Sequence, residues 1–238
     1  HSHGYYEECP DSSGVHATNP IKHITQTWDK TLERYVFRFD IHIAVDDDRG
    51  KPEITDRQRV EIKTYGRSGA DMVASEGQTH SYSWKFRLPE GFTATNKFCH
   101  IHQLKGFGGN DIGNPLITLS PRLKNGRQYL QLLHYASGGA PSVVLAEIPL
   151  DDLTGEWVMV REKATCLHQG RYSVEIVRLR DDKVLLSYSN DNIDLWREGA
   201  TAIRPKWGIY RSFGAGGSLK SRMRDETLLF ADFTIKEE

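Results

Sequence analysis

Along most of the chain, apolar residues recur at every second position in short runs separated by turn residues, the pattern of strands with one covered face. Residues 34–45 place Tyr35, Phe37, Phe39, Ile41, Ile43 and Val45 on one side and Arg38, Asp40 and His42 on the other, and Asp46-Asp47-Asp48-Arg49-Gly50 ends the run as a turn. Residues 81–88 align Tyr82, Trp84, Phe86 and Leu88 and stop at Pro89-Glu90-Gly91. The same period predicts strands over 57–63, 98–105, 116–119, 128–135, 142–148, 156–164, 171–178, 183–189, 206–211 and 227–236. Turn signals at Asn125-Gly126, Gly138-Gly139 and Asp181-Asp182 fall between them. Only residues 192–199 hint at a short helix. Residues 1–20 read as an irregular arm, 64–79 as a long Gly- and Ser-rich loop, and 106–115 as a glycine-rich loop able to close over a ligand. Together these predict one all-β domain over 1–238, a β-jelly roll sandwich of two antiparallel sheets with one concave face.

Three of the strands carry an unusual polar side. In Lys206-Trp207-Gly208-Ile209-Tyr210-Arg211, Trp207 and Ile209 face a core while Lys206, Gly208 and Tyr210 present an ammonium, a gap and a phenol. In residues 57–63, Val60 and Ile62 go inward, leaving Arg57, Arg59, Glu61 and Lys63 opposite. In residues 99–105, Cys99 and Ile101 go inward and His100 and His102 join the polar side, followed by Gln103 and Lys105. Placed in one sheet, these strands form a face that grips an anion. Each strand alone also has an ordinary reading: cross-strand ion pairs for the Arg-rich one, a structural imidazole for His102, a packing phenol for Tyr210.

Composition narrows the ligand. With 31 basic and 32 acidic residues, the formal net charge is -1, so no global positive field favours nucleic acid and anion recognition is local. Hydrophobic content of 38% and charged content of 26% exclude disordered, collagen-like and coiled-coil classes, and no apolar run approaches membrane-spanning length. Cys9, Cys99 and Cys166 permit at most one disulfide of unspecified pairing, with Cys99 read as a buried thiol. The chain begins at His1 without an initiator methionine, which suggests a processed, extracellular protein, and a monomer is expected. His1 and His3 together suggest copper, but a trimmed end explains them more simply.

Arg59, His102, Lys206 and Tyr210 suit β-elimination in a chain of uronic acids. The hydrogen beside a carboxylate is a weak acid, and its removal needs that carboxylate neutralised by Arg, Lys, Gln or a protonated group. Imidazole is a natural base at neutral pH, which casts His102, with His42 and His80 in reserve. Tyr210, near cations, would protonate the departing oxygen and is a second candidate for the base, while His100 and Gln103 help neutralise the carboxylate.

These segments resemble the motifs of the jelly-roll polysaccharide lyases: Lys206-x-Gly208-x-Tyr210 the Lys-x-Gly-x-Tyr strand, residues 57–63 the Arg-rich strand, and His100-Ile101-His102 the Gln-x-His strand, in family order. The resemblance implies a concanavalin A-like sandwich, with Arg59 as carboxylate neutraliser, His102 as base, Tyr210 as acid and Lys206 as a substrate grip. Arg57, Glu61, Lys63, His100 and Lys105 are the further substrate-binding candidates. One departure stands out: His100 occupies the family's Gln position, so either His100 replaces the amide or a bulge brings Gln103 round. Size and mixed charge are most similar to fungal glucuronan lyases, with alginate and other polyuronate lyases as the alternative. Such lyases often carry a structural calcium, and Asp232 resembles a late-strand ligand for it.

Two other classes share the architecture. A lectin-like carbohydrate-binding module has no need of a His, Tyr, Arg and Lys cluster. A glycoside hydrolase requires paired carboxylates, and no Glu-x-Asp-x-x-Glu pattern occurs.

Overall fold

The computed structural model describes residues 4–238, so the reading of His1 and His3 as a copper site lies outside the described residues. Fourteen strands are described: β1 (Tyr6–Glu8), β2 (Ile24–Asp29), β3 (Arg34–Ile41), β4 (Arg57–Lys63), β5 (Thr79–Arg87), β6 (Cys99–Phe107), β7 (Ile117–Lys124), β8 (Arg127–His134), β9 (Val143–Pro149), β10 (Val158–Thr165), β11 (Gly170–Arg178), β12 (Lys183–Ile193), β13 (Ala202–Ser212) and β14 (Glu226–Glu237). They form two seven-stranded antiparallel sheets, ordered β1-β4-β13-β6-β7-β8-β9 and β12-β11-β10-β5-β14-β3-β2. This is a jelly-roll sandwich, as the alternation predicts.

The core lies between the sheets and is built from the predicted inward sets. Tyr82, Trp84 and Phe86 of β5 meet Val60 of β4, Ile101 and Leu104 of β6, and Trp207 and Ile209 of β13, all fully buried. Each such side chain contributes about 1.5–3 kcal/mol by leaving water.

Three expectations change. Tyr35 and Phe37, read as inward, are 67% and 40% exposed. Tyr35 meets Trp28 edge to face and Phe37 lies tilted against Phe233 rather than under the facing sheet, while Val36 is buried in a satellite cluster with Trp157 and Ala231. The helix hinted at 192–199 is absent: β12 runs to Ile193, and the buried Arg197 then fixes an irregular segment by donating to the carbonyls of Pro115 and Tyr135. The N-terminal arm is more regular than expected, since β1 pairs with β4 and extends the first sheet by an edge strand. All three cysteines are free.

Gly208 is where β13 and β4 come closest. Its φ of 141° is one L side chains rarely adopt, and a Cβ there would lie 2.2 Å from the Val60 carbonyl oxygen. Gly208→Ala is therefore expected to destabilise the protein by about 2–3 kcal/mol. Chemical denaturation checks this; an unchanged midpoint would show that the strands part without strain.

Candidate active site

The register of β4, β13 and β6 decides which side chains share the polar face. β13 lies against β4 without interruption, so Lys206 stands beside Lys63, Gly208 beside Glu61 and Tyr210 beside Arg59. Against β6 the pairing slips: Lys206 faces Gln103 and Trp207 faces His102, yet Tyr210 faces His100. The slip turns Ile101 and His102 both toward the core and brings His100 and Gln103 both onto the polar face. The bulge that the sequence left open thus occurs and brings Gln103 round, with His100 on the same face.

His102 cannot serve as the base. It is 0% exposed, packed against Trp84 and Trp207, with Nδ1 donating to the Lys206 carbonyl and Nε2 2.8 Å from Glu162 of the facing sheet. Tyr172 donates to the other Glu162 oxygen, completing a sealed inter-sheet link. Neither reserve replaces it. His80 is buried on β5 with both ring nitrogens unpartnered among the described residues, and burial lowers its pKa. His42 pairs with Asp46 beyond the end of β3.

Beneath the face lies a buried ionic lattice. Glu61 accepts from Arg59 at 2.9 Å, Lys206 at 2.7 Å and Gln103 at 2.5 Å. Glu8, delivered by β1, pairs with Lys206 at 2.5 Å, Lys63 at 2.6 Å and Arg49. Asp48 holds the Arg59 Nε at 2.7 Å. Lys206 is only 2% exposed and Glu61 is fully buried, so neither contacts substrate as the sequence suggested; both hold the floor in shape. Arg59 is likewise engaged by Asp48 and Glu61, and its guanidinium lies 3.5 Å from the Tyr210 ring centroid, supporting the phenol rather than clamping a carboxylate. Glu8 and Asp48 gave no sequence signal, because each arrives from a turn or edge remote in the chain.

Burial alone would raise the Glu8 pKa, but Lys206, Arg59 and Lys63 outweigh it and hold the carboxyl well below its usual range. The stability this group contributes is present above the ordinary Glu value and is lost only as pH falls through its lower folded value.

Tyr210 stands between Arg57 and His100. Arg57 Nη1 donates to its hydroxyl at 2.9 Å while the rest of that guanidinium is held by Asp56. The His100 ring centroid is 6.0 Å away, stacked on Phe98. Burial, followed by Arg122, Lys105, Arg59 and Lys206, pushes the His100 pKa well below the ordinary imidazole value, so the ring is neutral at pH 7. Its Nδ1 is 2.7 Å from the Ser120 hydroxyl, itself 2.9 Å from Thr118. In the tautomer that donates Nδ1–H to Ser120, Nε2 keeps its lone pair. A neutral imidazole and a phenol therefore stand side by side.

Farther along β6 and β13, Lys105 and Arg204, and on β7 at the His100 end Arg122, have no carboxylate partner among the described residues. Arg204 lies against Tyr65 and Phe107. These cations supply the positive surplus of the face, and Tyr210 to Arg204 spans about 20 Å of strand. Burial foremost, then Lys206 and Arg59, lowers the Lys105 pKa to about 8. Its charge is present below that value and lost above it, so KM for a polyanion should rise as pH passes about 8. A Lys105→Met variant should lack that limb in KM–pH profiles; an unaltered limb would assign it to another group.

Asp232 does not fit calcium. Its carboxylate is held by Arg34 and by Lys85 at 2.8 Å, two cations where a hard metal needs further oxygen ligands.

No protein-family model matches the sequence, and no curated protein matches it. Solved structures do match in shape. An endo-β-1,4-glucuronan lyase from the fungus Trichoderma reesei aligns with a TM-score of 0.59 over 98% of this chain and 95% of its own, at 10% identity. A family 7 alginate lyase in complex with its product gives 0.62 over 99% and 95%, at 12% identity. An alginate lyase of Pseudomonas aeruginosa gives 0.58 over 94% and 90%, at 16% identity. The fold is that of the jelly-roll polysaccharide lyases. In this chain the Tyr210 strand lies beside the Arg-rich one, and the His100-Ile101-His102 strand presents its first imidazole to the polar face.

Proposed function

We propose that the protein is a polysaccharide lyase that cleaves a uronic-acid-containing polysaccharide by β-elimination, acting within a glucuronan-like chain. The observation that carries this reading is the pairing of a neutral His100 with the Arg57-bound Tyr210, at the end of a face whose remaining cations lack acidic partners. The polyanion lies along β6 and β13 with carboxylates over Lys105 and Arg204. His100 Nε2 takes the proton from the carbon beside the carboxylate. That electron pair forms the new carbon–carbon double bond as the glycosidic C–O bond breaks, and the Tyr210 phenol gives its proton to the leaving oxygen. Proton return from His100 to the phenolate resets the site. Arg57 stabilises the negative charge that gathers on the phenol oxygen.

The assay is absorbance of the unsaturated product from glucuronan, alginate and heparin. New absorbance with one of them is expected; reducing ends without it mean a hydrolase, and binding without turnover means a lectin. His100→Gln should lower kcat by about 10²–10⁴ with the melting temperature preserved. His102→Gln should instead lower the melting temperature, because it breaks the link to Glu162. The opposite assignment of effects would return the base role to His102.

A further inference from the structure

Beside the catalytic face, three segments remote in sequence converge on one carboxylate. His16 lies in the short 3-10 turn Gly14–Ala17, His23 just before β2, and Asp46 in the turn after β3; all three are buried. The Nε2 atoms of His16 and His23 are each 3.0 Å from the same Asp46 oxygen, Oδ1. The donor atoms of the three residues lie within 4.8 Å of one another. His42 closes the cluster, its Nδ1 3.1 Å from Asp46 Oδ2.

The surroundings of His23 make this arrangement unusual. Asp11 Oδ1 is 2.8 Å from His23 Nδ1 and is steadied through its other oxygen by Lys22 at 2.8 Å. One carboxylate thus holds the outer nitrogen of the His23 ring, while its inner nitrogen and that of His16 converge on a single oxygen of Asp46. The Asp11–His23 contact is the outer carboxylate that orients a metal-bound imidazole and fixes its tautomer. Ligands on a tetrahedral zinc, bonded at about 2.0–2.1 Å, stand about 3.3 Å apart, so the two 3.0 Å histidine–Asp46 separations need to open by only a few tenths of an ångström, and the two imidazole nitrogens, within 4.8 Å, adjust by ring rotation.

We infer that His16, His23 and Asp46 form a binding site for a divalent transition metal of the zinc type, with His42 or water as the fourth ligand. Two imidazoles and one carboxylate disfavour calcium and magnesium, which take oxygen shells. The metal ties the N-terminal arm to the turn after β3. That turn reaches the active face directly: Asp47 accepts the Arg59 backbone N–H at 3.0 Å, Asp48 holds the Arg59 side chain, and Gln58 donates to the carbonyls of His42 and Asp46. The metal therefore acts as a positioning element for Arg59 and touches no substrate.

The experiment is titration of the chelator-treated, dialysed full chain with Zn²⁺ by calorimetry, and with Co²⁺ by visible absorption. One equivalent of Zn²⁺, the intense visible bands of low-coordinate Co²⁺ and a raised melting temperature are expected, independently of any lyase activity. Asp11→Asn should weaken Zn²⁺ binding about 10–100-fold, and His16→Gln with His23→Gln should abolish it. His3→Ala should leave the equivalent intact, which separates the cluster from the chain end. Absence of a Zn²⁺ equivalent in the native chain, or its retention in the His16→Gln, His23→Gln double variant, would overturn the site.

Discussion

Replacing Tyr210 by Phe is expected to lower kcat about 10²–10⁴-fold while leaving polysaccharide affinity within a factor of a few. The ring stays in place under the substitution, because Arg59 covers one face and Phe98 packs at 4.8 Å. Arg57 keeps its bonds to Asp56 and loses only the phenol oxygen. Steady-state kinetics on the cleaved polyuronate, with a binding isotherm for the variant, check the expectation. A Phe variant that turns over at the native rate would remove the phenol from the reaction, whatever its position.

The largest stability effect is expected at Glu61. Its carboxylate is fully buried and accepts from Arg59, Lys206 and Gln103 at once, so Glu61→Ala leaves three donors facing a cavity. Breaking a buried pair from one side costs about 3–5 kcal/mol, which lowers the melting temperature by about 10 °C for a domain of this size. Glu61→Gln should lose less, since the amide oxygen still accepts one bond. Thermal unfolding followed by circular dichroism decides the matter: a drop below about 1 °C for Glu61→Ala would mean the lattice is hydrated and contributes little.

The fold was legible because alternation survives in single strands. The inward sets of β4, β5 and β13 follow directly from period two. The site was legible by strand but not by residue. A one-residue slip between β6 and β13 exchanges the roles of two histidines, and nothing in His100-Ile101-His102 announces it, because the slip is set by the partner strand. Glu8 and Asp48 were invisible for a related reason: their importance comes from where β1 and the turn after β3 land, not from their neighbours in sequence. Exposure of Tyr35 and Phe37 reflects lack of cover by the opposite sheet, which a hydrophobic pattern does not encode.

The arrival of Glu8 on an edge strand has a consequence for how the molecule can be handled. A protease that clips the chain behind Cys9 removes the carboxylate that pairs with Lys63 and one of the two that hold Lys206, and bares the hydrogen-bonding rim of β4. The trimmed protein gains adhesiveness twice over, toward polyanions in general and toward strands of its own kind. Three residues at the border of the sheet thus keep its charge balanced and its rim covered.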